Sequence, residues 1–322
     1  MRTLTMGTGH AHGKVVLLGE HAVVYGMPAM AVPLPELAVL AQARRLDEAP
    51  GIAENCPGPP GPSTGYRFLA TRSTAAATSG IQVAAAEALC CWGTHDDAVE
   101  VTVSAGFPAG RGLGSSAAGA VAVARAFADL YGANADTAAI HRLAQHGEQL
   151  EHGRSSGVDA AAAASTSPLW FEAEQSHGLT ADLDAVVVIA DSGLIGSTRR
   201  AVATAAPLLQ GTAGRARLMH AAELTRCAAA DLATGRAAEL GDKLIQFHEW
   251  LRELGVSCPQ LDRLVAAALA AGALGAKLTG GGLGGCMLAL TTGPDQATTV
   301  RDALTAAGAT QTWSVATRGW AA

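Results

Sequence analysis

Pro108-Ala109-Gly110-Arg111-Gly112-Leu113-Gly114-Ser115-Ser116 stands between a β-like run, Val99 to Ser104, and an alanine-rich helical run, Ser115 to Tyr131. Three glycines at alternate positions let the backbone take positive φ and bring its N–H groups close to an anion. The helix that follows aims its own unpaired N–H groups and its positive dipole end at the same point. The turn is therefore suited to phosphate. Gly112 to Ala117 also fits the dinucleotide pattern G-x-G-x-x-A, but that fold needs a second strand ending in an acidic residue about 20 positions on. Here the helix runs out at Gly132 and more helix follows. A Walker A loop is excluded too, because Gly13-Lys14 has Thr8 where the first glycine belongs and Val15 after it. A strand-to-helix turn with glycines for packing is the alternative reading.

The 322 residues are 49% hydrophobic but only 4% aromatic, which predicts a core of aliphatic side chains between alanine-lined helices and roughly two domains. A net charge of −6, with no basic run longer than two residues, excludes a nucleic-acid surface. No stretch reaches the ~18 apolar residues of a membrane span and no signal-like segment opens the chain, so a cytoplasmic protein is expected. The six cysteines lack C-x-x-C spacing and read as reduced, mostly buried thiols.

Along the chain, Val15 to Leu18 reads as a short buried strand with Gly13-Lys14 before it and Gly19-Glu20-His21 after it. Taken singly, Lys14 reads as a surface cation and Glu20-His21 as an exposed turn. His10 and His12 have no further ligand in sight and stay unassigned. Met27 to Leu40 is strand-like, Ala49 to Gly65 is a proline- and glycine-rich loop, and Ile81 to Cys91 is helical with Ile81, Ala85 and Leu89 on one face. Asp136 or Thr137 caps a helix reaching His152, with Glu148 at the edge of its buried face. That carboxylate is either a salt-bridge partner or is aimed inward at a cation. Asp159 reads equally as the N-cap of the run Ala160 to Ala164. Asp184 to Ala190 is a buried strand, Gly196 to Arg199 starts a helix, and one long helical section extends from Gly214 to Leu254. Pro259 opens the next helix, Lys277 to Gly285 forms a second glycine-rich loop between strands, and Asp295 to Ala307 and Gln311 to Ala316 close the chain as helix and strand.

Three segments together, Gly13 to Gly26, Pro108 to Ala118 and Lys277 to Gly285, resemble the three ordered motifs of the GHMP small-molecule kinases over nearly the whole chain. Within that family Glu20-His21-Ala22-Val23-Val24-Tyr25-Gly26 is similar to the branch that phosphorylates mevalonate. The resemblance implies an α+β fold with an S5-like N-terminal ATP-binding domain (residues 1–180) and a ferredoxin-like C-terminal domain (residues 181–322). It implies that Gly110, Arg111, Gly112, Leu113, Gly114, Ser115 and Ser116 bind the triphosphate of ATP. Ser116 and Glu148 would hold Mg²⁺, and Asp159, approached by Lys14, would face the attacking hydroxyl. Thr198 would sit near the reacting groups, and Glu20 and His21 would line the pocket for a small-molecule acceptor, the histidine donating to substrate oxygens and the glutamate accepting from a hydroxyl. The implied reaction is ATP-dependent phosphorylation of the terminal (5-) hydroxyl of mevalonate, without nucleic-acid or membrane partners, and the same resemblance allows a homodimer. Phosphomevalonate or sugar kinases, and a ligand sensor without turnover, are the competing readings. Three departures stand out: Leu283 replaces a glycine of the third motif, Arg111 replaces a small residue of the second, and Ala105 stands where some relatives bind ATP through serine.

Overall fold

The computed structural model describes residues 5–46, 64–70, 79–94, 97–152 and 156–320. The proline-rich loop up to residue 63, Cys56, Arg154 and Ser155 lie outside them. The chain forms two compact units: Met1–Lys14, Leu34–Ala109 and Gly114–Ala164 in the first, Val15–Pro33, Gly110–Leu113 and Ser165–Ala322 in the second. Strands β1 (Met6–Leu18) and β2 (Ala29–Leu46) each run from one unit into the other. β1 is thus much longer than the four-residue strand that apolarity predicts, because its first half alternates exposed and buried positions instead of being continuously apolar.

In the first unit the later half of β2 pairs antiparallel with β4 (Ala98–Ala105), which pairs with β3 (Thr64–Ala70). Val99, Val101 and Val103 of β4 are buried while Glu100, Thr102 and Ser104 between them are not, the period-2 pattern of a half-buried strand. Helices α1 (Gly80–Trp92), α2 (Ser115–Tyr131), α3 (Thr137–His152) and α4 (Val158–Ala164) pack with one another in this unit. α2 is bounded by glycines in the left-handed conformation at both ends, Gly114 (φ 74°) and Gly132 (φ 59°), as the glycine positions predict. Its alanines allow close approach, and most of the helix is buried. Asp136 Oδ1 accepts from Ala139 N at 2.7 Å, so the aspartate of the two candidates caps α3.

Gly147 explains itself only in three dimensions. A Cβ there would overlap the carbonyl of Gly80 where α3 crosses the start of α1. Gly147→Ala is expected to destabilise by up to ~2 kcal/mol, an overpacking cost of ~1–3 kcal/mol less the ~1 kcal/mol gained from alanine's better helix propensity. A urea or thermal melt showing a more stable variant would refute the crossing.

In the second unit the first residues of β2 pair with β5 (Leu169–Glu172), which forms a hairpin with β6 (Gln175–Gly178). The rest is built on β7 (Val186–Asp191), β8 (Gly275–Leu278), β9 (Cys286–Thr291) and β10 (Gln311–Ala316), an antiparallel sheet in the order β10-β7-β9-β8. Between β7 and β8 come α5 (Thr198–Ala205), α6 (Gly211–Ala233), α7 (Ala237–Glu253) and α8 (Pro259–Ala270), and α9 (Pro294–Ala306) joins β9 to β10. Strand, helix, strand, strand, helix, strand along the chain, with the strands in that spatial order, is the ferredoxin-like arrangement. The single long helical section is corrected to two helices: Gly235 (φ 68°) is left-handed and breaks the chain between α6 and α7. The thiols are corrected as well. Only Cys286 of the described cysteines is buried, whereas Cys90 and Cys91 at the end of α1 are exposed.

His248 of α7 is buried and its Nδ1 accepts from Leu278 N at 3.4 Å, joining α7 to β8. Burial first, and then the Lys277 ammonium, push its pKa down to about 4 against a partial pull upward from Asp262. A histidine with a lowered native pKa is neutral when folded but takes up a proton when unfolded. Its contribution is therefore complete above pH 6.5 and is lost as pH falls from 6.5 toward about 4. At 1.36 kcal/mol per pH unit the loss amounts to ~3 kcal/mol at the acid end. Urea melts at pH 7 and pH 4.5 are expected to show a smaller acid loss in His248→Asn than in the parent chain. Equal losses would exclude His248 as the source.

Candidate active site

In the first unit the Lys14 ammonium lies 2.8 Å from Asp159 Oδ1. The side chain of Lys14 is 2% exposed and that of Asp159 is 37% exposed, so the lysine anchors from within and the carboxylate keeps a face open to a reactant. The surface-cation reading of Lys14 is thereby corrected. Asp159 lies in the first turn of α4, after a turn in which Ser156 Oγ accepts from Val158 N at 3.4 Å, and its carboxylate is turned to the lysine. Gly114 has two reasons to be glycine: φ of 74°, and the stem of Lys14, whose Cε would stand 2.9 Å from an added Cβ. The start of α2 and the Lys14–Asp159 pair are thus coupled by packing. Ser115 and Ser116 occupy the first turn of α2 and are half-buried. Glu148 is buried on α3, inside the apolar face instead of at its edge.

In the second unit the middle of the glycine turn is held by backbone hydrogen bonds. Cys286 N donates to Arg111 O at 3.0 Å and Gly196 N donates to Gly110 O at 3.0 Å. Gly112 and Gly280 face each other so closely that a Cβ on Gly280 would stand 2.9 Å from Gly112 O. The two glycine-rich loops found in the sequence are therefore packed backbone to backbone, with Gly110 (φ 71°) and Gly112 (φ 76°) left-handed. Arg111 departs from a small residue because it has a partner. Its Nε lies 3.2 Å from Asp191 Oδ2, and both side chains are largely withdrawn from water.

Glu20 and His21, each expected in an exposed turn, are buried. Lys277 Nζ bonds Glu20 Oε1 and also donates to Leu278 O at 2.7 Å. Thr279 Oγ1 accepts from Val16 N at 3.0 Å and donates to Val16 O at 3.1 Å, fastening the end of β1 to the third motif. His21 has φ of 61°, a conformation that L residues rarely adopt, and its Nε2 lies 2.9 Å from Gly281 O. A carbonyl only accepts, so Nε2 carries the proton. Burial, with help from Lys277, holds the imidazole pKa below its ordinary value, against the upward pull of the Gly281 bond. His21 is thus neutral at pH 7 with Nδ1 as an acceptor, which corrects the expectation that it donates to substrate oxygens. Thr198 heads α5 and is exposed beside Gly281, whose Cβ would stand 3.1 Å from Thr198 Oγ1.

Sequence reading missed the Lys277–Glu20 and Arg111–Asp191 pairs. Each joins a glycine-rich motif to a distant segment, and no local spacing announces such a partner. The one available signal was a charged residue in each of two otherwise apolar strands, Lys277 within β8 and Asp191 at the end of β7.

Among the described residues no group of three or more His, Cys, Asp or Glu side chains surrounds a metal position. Mg²⁺ does not need one, because it keeps several waters and takes one or two protein oxygens. The oxygen donors Ser116 and Glu148, in the first unit, suit that ion. The left-handed glycines and the open end of α2 suit phosphate.

Residues 79–167 match the family described as GHMP kinases N terminal domain, and residues 228–310 match GHMP kinases C terminal. A mevalonate kinase from Thermococcus onnurineus is 31% identical, the alignment covering 93% of each chain. The chain belongs to the GHMP kinases. A galactokinase from Streptomyces coelicolor, 30% identical over 94% of this chain and 89% of its own, also aligns. The crystal structure of L. major mevalonate kinase in complex with R-mevalonate superposes with a TM-score of 0.79 at 24% identity, covering 98% of this chain and 97% of that one. This GHMP kinase therefore has the α+β fold that its motifs implied. No described helix is long and apolar enough to cross a membrane.

Proposed function

We propose that the chain uses ATP and Mg²⁺ to phosphorylate the terminal (5-) hydroxyl of mevalonate, giving 5-phosphomevalonate. The observation that carries a catalytic reading is the Lys14–Asp159 pair, a buried cation behind a half-exposed carboxylate. Binding alone has no use for it, which disfavours a sensor without turnover. The relatives named as mevalonate kinases, together with the Glu20 to Gly26 segment, support the choice of alcohol.

In this reading Asp159 orients the alcohol and accepts its proton as the oxygen attacks, a role open to a carboxylate within hydrogen-bond reach. Lys14 holds Asp159 in place and adds positive charge where negative charge accumulates. Gly110 to Ser116 cradle the phosphates, Ser116 and Glu148 hold the metal, and Thr198 contributes a hydroxyl beside Gly281. Glu20 and His21 bind the acceptor. When bound, Mg·ATP supplies the phosphoryl group and neutralises charge on it, and the transfer needs little beyond positioning and electrostatics. We place the nucleotide-binding domain within residues 1–180 and the C-terminal domain within 181–322, and the exposed Cys90 and Cys91 favour a reducing, cytoplasmic setting. The test is ADP release with mevalonate, phosphomevalonate, galactose and homoserine as acceptors.

A further inference from the structure

The role of Lys277 is not explained by phosphate binding. It is wholly buried at the end of β8, and its ammonium is surrounded by acceptors: Glu20 Oε1, Leu278 O at 2.7 Å and Val16 O at 3.4 Å. The ring of Phe247 lies 5.6 Å from the same nitrogen. A carboxylate so gripped is fixed in orientation, because its partner is rigid and cannot leave for water. Next along the chain, His21 has surrendered its only proton to Gly281 O. The resemblance implied a mixed donor and acceptor pair for Glu20 and His21. Here neither has a proton to offer.

We infer that Lys277 is a positioning residue that fixes Glu20 beside His21 so that this segment presents acceptors only, reading a substrate hydroxyl and turning away a substrate carboxylate. The inference rests on the alcohol kinase reading and deepens it. A hydroxyl donates one hydrogen bond and meets an acceptor favourably, whereas a carboxylate has no proton and would face like partial charge. For mevalonate, whose terminal hydroxyl is the one phosphorylated in that reading, the group read here is the tertiary hydroxyl. Its carboxylate is then bound by other residues.

The experiment is a double-mutant cycle on Lys277→Met and Glu20→Gln, using mevalonate and mevalonate with hydrogen in place of the tertiary hydroxyl. The parent chain is expected to prefer mevalonate by roughly 10⁴-fold in kcat/KM, the scale on which a site built to bond a hydroxyl discriminates. Lys277→Met is expected to cut that preference to less than about 10-fold, mainly through KM for the alcohol, with KM for ATP within about twofold. Because Lys277 acts through Glu20, adding Lys277→Met to Glu20→Gln is expected to change the preference no further. Full preference in Lys277→Met, or additive losses in the double variant, would overturn the inference. Lys277→Met removes the ammonium beside a buried carboxylate and can fail to fold. In that case Glu20→Gln against the double variant decides, equal preferences supporting the inference and unequal ones overturning it. If the parent chain does not phosphorylate mevalonate, the substrate assignment falls. The cycle is then read on whichever alcohol is accepted, against its own deoxy derivative.

Discussion

Asp159→Asn is expected to lower kcat by roughly 10² to 10⁴-fold while leaving ATP affinity nearly unchanged, the range for loss of a positioned general base. Asparagine keeps the shape and can still face Lys14, so the variant removes the charge and the proton acceptor without opening a cavity. The geometry makes the change informative: the lysine is buried and the aspartate half-exposed, so the carboxylate, not the ammonium, is the group a reactant reaches. Single-turnover kinetics with saturating Mg·ATP would separate chemistry from product release. A kcat within about threefold of the parent chain would reduce Asp159 to a structural partner of Lys14. A loss of only ~10-fold would assign it to orientation instead of proton transfer, since a loose phosphoryl transition state asks little of a base.

For the acceptor panel, kcat/KM for mevalonate is expected to exceed that for phosphomevalonate and for galactose by at least about 10²-fold. The acceptor segment offers Glu20 and His21 as acceptors, followed by Ala22 and Val23, both buried and aliphatic. One hydroxyl and one methyl group suit such a surface. Galactose would bring several hydroxyls needing donors as well as acceptors, and each one buried without a partner costs about 1–3 kcal/mol. Phosphomevalonate carries its phosphate on the oxygen that mevalonate would have phosphorylated, and this segment adds no arginine or free cation to receive a second anion. Comparable turnover of galactose is the outcome to watch, because a galactokinase aligns at nearly the same identity, 30% against 31%. It would overturn the substrate while leaving phosphoryl transfer intact.

What the amino-acid sequence determined by itself was whatever depends on near neighbours. The limits of α2 follow from Gly114 and Gly132, which take the left-handed conformation at its two ends. The bounds expected for the last helix and strand, Asp295 to Ala307 and Gln311 to Ala316, lie within one residue of those of α9 and β10, and the three motifs, in order, were enough to place the chain among the GHMP kinases and to expect its α+β fold. Periodicity and φ preference are properties of a few consecutive residues, so they survive without knowledge of the rest of the chain. Only the tertiary structure decided which charges meet. Lys14 could not be told from a surface lysine until α4 brought Asp159 to it, and Glu20 could not be told from a turn residue until Lys277 arrived from β8. The hydrogen bond from His21 to Gly281 likewise reversed the polarity expected of that side chain. Tertiary packing alone also gathered Val15–Pro33 and Gly110–Leu113 with the C-terminal residues. The physical reason is shared by the two ion pairs. A buried charge is tolerable only with a partner, but the partner is found by folding, at a sequence distance that no local pattern encodes.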